Sequence, residues 1–108
     1  MRVTCQEIFE ITERLEFQRE SVLGERMRKT AVQIVEEIAE GFERETRRDF
    51  ANFARMAKGS NGEARAQLYV AQRYLRDGEL DKLLGLNTDI GKMLRGLRRS
   101  LVEPARRV

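Results

Sequence analysis

Residues 34–68 read Ile-Val-Glu-Glu-Ile-Ala-Glu-Gly-Phe-Glu-Arg-Glu-Thr-Arg-Arg-Asp-Phe-Ala-Asn-Phe-Ala-Arg-Met-Ala-Lys-Gly-Ser-Asn-Gly-Glu-Ala-Arg-Ala-Gln-Leu. The stretch holds the end of one helix, a short polar link and the first part of a long second helix. Upstream of it, Met27, Ala31, Ile34, Val35, Ile38 and Phe42 recur at helical steps and form one apolar stripe, so a helix is expected from about Val22 to Ala39 or Glu40. Gly41 is expected to stop it in the left-handed conformation past the last turn. Thr46-Arg47-Arg48-Asp49 offers a Thr N-cap with an acid at the third position. From Arg47 the apolar phase runs through Phe50, Phe53, Ala54, Ala57, Ala64, Leu68, Ala71 and Leu75, which predicts a helix to about Arg76. Gly59 and Gly62 interrupt it. Either Ser60-Asn61-Gly62-Glu63 caps a new helix, or one helix continues and its glycines admit a close neighbour. The unbroken apolar phase favours the continuous helix.

The flanking sequence repeats the theme. Thr4-Cys5-Gln6-Glu7 has the capping-box form, so a first helix is expected from near Thr4, with Ile8, Ile11 and Leu15 as its stripe and Phe9 and Phe17 beside them. The polar run Gln18-Arg19-Glu20-Ser21 loosens or ends it. Asp77-Gly78 is a turn signal. Leu83, Leu86, Ile90, Leu94, Leu97 and Leu101 predict a last helix over about Leu80–Val102, stopped by Pro104, with Gly85, Gly91 and Gly96 as points of close packing. Period-two alternation is absent. The expected fold is all-α: an antiparallel up-and-down four-helix bundle, one domain over residues 1–108.

Composition narrows the function classes. Charged residues make up 36% and apolar ones 41%, too apolar for disorder. No apolar run approaches the ~18 residues of a membrane span, and no secretory signal is evident. With one cysteine, Cys5, no intrachain disulfide forms and a cytoplasmic location is expected; Cys5 reads as a small apolar filler. There is no histidine, which removes Ser-His-Asp and Cys-His nucleophile arrangements and His-ligated metals. No phosphate-binding glycine loop is present. The chain is therefore expected to be no enzyme and to carry no cofactor or metal. Glu36, Glu37, Glu40, Glu43 and Glu45 are the nearest approach to a metal-binding cluster, and a solvated face answering Arg44, Arg47 and Arg48 explains them better.

Charge is uneven. Residues 1–54 hold 9 Lys/Arg against 12 Asp/Glu, and residues 55–108 hold 12 against 6. On the last helix Lys92, Arg95 and Arg99 fall within about 60° of one another at 100° per residue, with Arg98, Arg106 and Arg107 adding charge. Lys92, Arg95, Arg98 and Arg99 are the candidate phosphate contacts, and Arg44, Arg47 and Arg48 form a second candidate patch. Tyr69 and Tyr74 could stack on bases, although packing is the commoner use of such residues. Gly59-Ser60-Asn61-Gly62 matches the Gly-x-x-Gly of strand-containing RNA-binding domains, but no strand accompanies it.

Ile-Ala-Glu-Gly at 38–41, Gly59-Ser60 with Glu63, and Lys92-Met93-Leu94 stand in an order that resembles the protein family encoded in intervening sequences of bacterial 23S ribosomal RNA genes. The likeness runs from about Phe9 to Leu101. Departures are Glu37 where members commonly carry Asn, Phe42 after the glycine, and no proline between the first two helices. The resemblance implies an antiparallel bundle, a ring-like homo-oligomer, specifically a homopentamer, and a non-enzymatic role with suspected binding of RNA or other nucleic acid. It also extends to the accessory bundle protein of diversity-generating retroelements, which gives the alternative of a protein–protein scaffold that docks a partner such as a polymerase.

Overall fold

The computed structural model describes residues 2–14 and 21–102. Leu15, Phe17, the run Gln18–Glu20, Pro104, Arg106 and Arg107 lie outside the described residues. Four α-helices and no strand are present among the described residues. They are α1 (Arg2–Thr12), α2 (Ser21–Phe42), α3 (Arg47–Val70) and α4 (Glu79–Val102), with a 3-10 turn at Ala71–Tyr74.

The contacts between helices set the topology. Cys5 Sγ donates to the Ala31 carbonyl at 3.4 Å, and a Cβ on Gly24 would stand 3.4 Å from Thr12 Cβ; α1 and α2 therefore run antiparallel. Ser60 Oγ donates to Glu37 Oε1 at 2.7 Å and Thr30 Oγ1 to Glu63 Oε1 at 3.0 Å, so α2 and α3 are antiparallel too. Arg47 donates to the Ser100 carbonyl, and Asn61 meets Asn87. The fourth side closes through Arg14–Glu79 at 2.7 Å and Lys82–Glu7 at 2.9 Å. The arrangement is an up-and-down four-helix bundle with α1 and α3 on one diagonal.

The bundle is unequal along its length. α1 has 11 residues, about 16 Å at 1.5 Å per residue, whereas α2, α3 and α4 have 22, 24 and 24. α1 covers only the half of the α2–α4 side that lies near Met27 and Leu83. The larger core cluster sits there: Ile8, Ile11, Met27, Ala31, Leu68, Ala71 and Leu83. A smaller cluster of Ile34, Ala57, Ile90 and Leu94 fills the other half. Towards the Phe42 end α3 presents Ala51, Ala54 and Ala57 inward, all buried, so α2 and α4 close around small side chains.

Several local expectations hold. Thr46 caps α3, its hydroxyl accepting from the Asp49 N–H at 3.1 Å. α3 is continuous through Gly59–Gly62. Gly78 alone among the described residues has a positive φ, +83°, and makes the Asp77-Gly78 turn. The Cys5 thiol is half-buried, and burial raises its pKa.

Others are corrected. The first helix begins at Arg2, so Thr4 lies inside it and caps nothing; Thr4 and Cys5 instead line the interior beside Ile8 and Val35. Gly41 does not end α2 in a left-handed turn. It is a close-approach residue, because a Cβ there would sit 2.8 Å from Phe50 Cδ1 and 3.1 Å from Phe53 Cβ. Phe42 is not a core residue: it is 69% exposed and tilts against Phe50 at 4.8 Å between centroids. α3 ends at Val70 rather than Arg76, because overwinding at Ala71–Tyr74 turns Tyr74 and Leu75 onto the larger cluster. Gly59 and Gly62 admit no close neighbour within the chain, since a Cβ on either meets nothing within 4 Å; the same is true of Gly85 and Gly96, and only Gly91 faces a neighbour, the Asn61 amide at 3.4 Å. Glu37 does not belong to the exposed acidic face; it is buried against Ser60.

Candidate nucleic-acid interface

Lys92, Arg95 and Arg99 line one shallow depression on the outer face of α4, with Gly96 at its base. All three are exposed, and so is Arg98. None of the four has a carboxylate within 4 Å among the described residues. The structure therefore brings this candidate patch together as a surface of unpaired cations.

The second candidate patch does not hold together. Arg44 lies over the Phe53 ring at 4.6 Å and pairs with Glu40 at 3.8 Å. Arg47 turns to the other side and donates to the Ser100 carbonyl in the last turn of α4, where a cation also answers the helix dipole. That contact carries it to the end of the bundle that holds Arg98 and Arg99. Arg48 is exposed.

The sequence reading missed the facing wall. On α3, Arg55, Lys58, Gly62, Arg65 and Tyr69 recur at steps of three, four, three and four, one flank of a helix. That flank faces α4, because Arg65 Nη1 donates to Thr88 Oγ1 at 3.1 Å and to Asn87 Oδ1 at 3.5 Å. On α4, Thr88, Lys92, Arg95 and Arg99 recur at four, three and four. The antiparallel register, pinned by Asn61–Asn87 and Arg47–Ser100, sets Arg55 level with Lys92 and Lys58 level with the turn that holds Asp89 and Ile90. Two cationic rows thus run along neighbouring helices: Arg55, Lys58 and Arg65 on α3, of which Arg65 reaches across to α4, and Lys92, Arg95 and Arg99 on α4, whose depression is lined by α4 residues. Glu63 is drawn to the opposite side by Thr30. The spacing of Arg55, Lys58 and Arg65 could have revealed this wall; the apolar phase of the same helix obscured it.

Of the acidic residues around the end of α2 only Glu37 is buried. Glu36, Glu40 and Glu43 are exposed, and no three of His, Cys, Asp and Glu converge on a metal-sized site among the described residues. No helix among the described residues is long and apolar enough to cross a membrane.

Residues 1–96 match the family model described as 23S rRNA-intervening sequence protein. The chain belongs to that family. The match includes α1, α2, α3 and α4 as far as Gly96, so Arg55, Lys58, Arg65, Lys92 and Arg95 lie inside the family region and Arg98 and Arg99 beyond it. No curated protein and no solved structure matches the chain.

Proposed function

We propose that this member of the 23S rRNA-intervening sequence protein family is a non-catalytic, cytoplasmic, self-associating bundle that binds RNA or other nucleic acid through the α3–α4 groove. The observation that carries the reading is the pair of unpaired cation rows: Arg55, Lys58 and Arg65 on one side, Lys92, Arg95 and Arg99 on the other. A surface of that kind gains its affinity from release of counterions, so binding weakens steeply with salt. Catalysis is set aside on the sequence, which has no histidine and one cysteine.

Replacing Lys92, Arg95 and Arg99 together with Gln tests it. The variant is expected to keep the wild-type assembly on size exclusion with light scattering. It should lose affinity for a mixed RNA and DNA pool, and its log-affinity against log-salt slope should fall by about 0.7–0.9 per cation removed. Unchanged binding would overturn the assignment.

A second reading, a protein-docking scaffold without nucleic-acid binding, is favoured by a different observation. Phe42 and Met93, at the end of α2 and in the second half of α4, are 69% and 66% exposed. Large apolar side chains so placed mark interaction surfaces. A second copy of the chain fits the first reading. A different protein captured there by an oligomer indifferent to nucleic acid at low salt would support the scaffold.

A further inference from the structure

We propose that the α3–α4 groove accepts a single strand and that one of its bases stacks on Tyr69. This rests on the nucleic-acid reading above and goes beyond it in naming the form of the ligand.

The two tyrosines, equivalent in the sequence, are separated by the structure. Tyr74 packs against the larger core cluster. Tyr69 is 51% exposed and continues the α3 row of Arg55, Lys58, Gly62 and Arg65. Its ring has the Arg65 guanidinium 5.9 Å from its centroid on one side, within the range of a cation–π contact. Arg65 is itself held from across the groove by Thr88 and Asn87. An aromatic plane backed by a fixed guanidinium, at the end of a row of phosphate-binding cations, is the arrangement that takes an unpaired base. The wall beside it is low, because Gly62 carries no side chain and a Cβ there would meet nothing within 4 Å. A backbone lying along the cations therefore reaches Tyr69 without passing over a bulky residue.

Geometry also disfavours a duplex. Arg55 to Tyr69 spans 14 residues, about 21 Å at 1.5 Å per residue, a straight reach that a few nucleotides of an extended single strand cover. The rows are straight, as the helices are. A duplex strand winds away from a straight row, and its bases are stacked internally, out of reach of a side chain on the groove wall.

The test uses tyrosine emission, since the chain has no Trp and only Tyr69 and Tyr74 report. Wild-type protein and the Tyr74→Phe variant are titrated with a single-stranded RNA hexanucleotide and with a duplex of the same sequence. Quenching by the single strand, retained in Tyr74→Phe, is expected. Tyr69→Ala is expected to weaken single-strand binding about 10-fold with the salt slope unchanged, because no phosphate contact is lost. Tyr69→Phe should restore the affinity, and duplex binding should be the same in all three. If Tyr69→Ala binds the single strand as tightly as wild type while the Lys92, Arg95, Arg99 triple variant binds weakly, stacking is overturned and the phosphate reading survives. Preference for the duplex overturns the single-strand assignment. Failure of the wild-type protein to bind either ligand at low salt overturns both readings.

Discussion

Asn61 and Asn87 each donate to and accept from the other: Asn61 Nδ2 gives to the Asn87 carbonyl at 3.0 Å, and Asn87 Nδ2 gives to the Asn61 carbonyl at 2.9 Å and to Asn61 Oδ1 at 3.0 Å. Both are buried, between the two apolar clusters. The pair admits one register of α3 against α4, because a slide by one turn leaves buried amides without partners. That register also brings Arg55 of α3 level with Lys92 of α4.

Asn87→Ala should therefore destabilise the fold by about 1–3 kcal/mol, the cost of orphaning buried polar groups. The double variant Asn61→Leu with Asn87→Leu should recover much of that loss, because neither polar group then remains. Urea unfolding of wild type, Asn61→Leu, Asn87→Leu and the double variant checks it; additive single-site losses would show that the two residues do not act as a pair.

Gly41→Ala should cost about 1–3 kcal/mol by overpacking, since the new methyl would stand 2.8 Å from Phe50 Cδ1. Gly59→Ala is expected to do the reverse. Its added methyl meets nothing and its backbone is helical, so the gain is about 0.5–1 kcal/mol. Thermal unfolding of the two variants should move in opposite directions from wild type.

The Glu79 carboxylate is held below its ordinary range, first by the hydrogen bond from Arg14 and then by the Arg76 N–H and the charges of both arginines, against the opposing effect of burial. A depressed carboxylate stabilises the fold above the ordinary carboxylate pKa, and that contribution is lost as pH falls through the folded-state value. Glu79→Gln should be less stable than wild type at pH 7, by on the order of 1 kcal/mol or less. The difference should shrink below the ordinary carboxylate range. Urea midpoints from pH 7 to pH 3 read this directly; a gap independent of pH would assign the bond a purely structural role.

Arg44 and Arg55 separate the two patches weighed from the sequence. Arg44 is engaged by Glu40 and Phe53, whereas Arg55 stands on the groove wall. Arg55→Gln should reduce nucleic-acid affinity and lower the salt slope by about 0.7–0.9; Arg44→Gln should leave both unchanged. Equal effects from the two would place the strand elsewhere.

Helices α2, α3 and α4 were legible because their apolar stripes keep helical phase for many turns and because Thr46 and Gly78 have local chemistry that acts without tertiary help. The misreadings came where tertiary packing overrode local signals. Thr4-Cys5-Gln6-Glu7 has capping chemistry, yet facing α2 carries the helix past it. Gly41 looks like a terminator, yet its missing Cβ is used by Phe50 and Phe53. Ser60-Asn61-Gly62 looks like a turn, yet Ser60 and Asn61 bind Glu37 and Asn87 inside the bundle. Half of the basic groove was readable from Lys92, Arg95 and Arg99. The other half needed the α3–α4 register, which rests on two asparagines that no periodicity marks.

The unequal length of α1 has a geometric outcome. Four helices around leucine and methionine at one end, and three around alanines at the other, make a wedge. Rods laid side by side stack straight, but wedges turn about their narrow ends. Whether copies joined head to tail form a ring or a helical filament is set by the rotation between neighbours, which closes only at an exact fraction of a turn, and in this chain the uneven ends of the bundle are what bias that rotation.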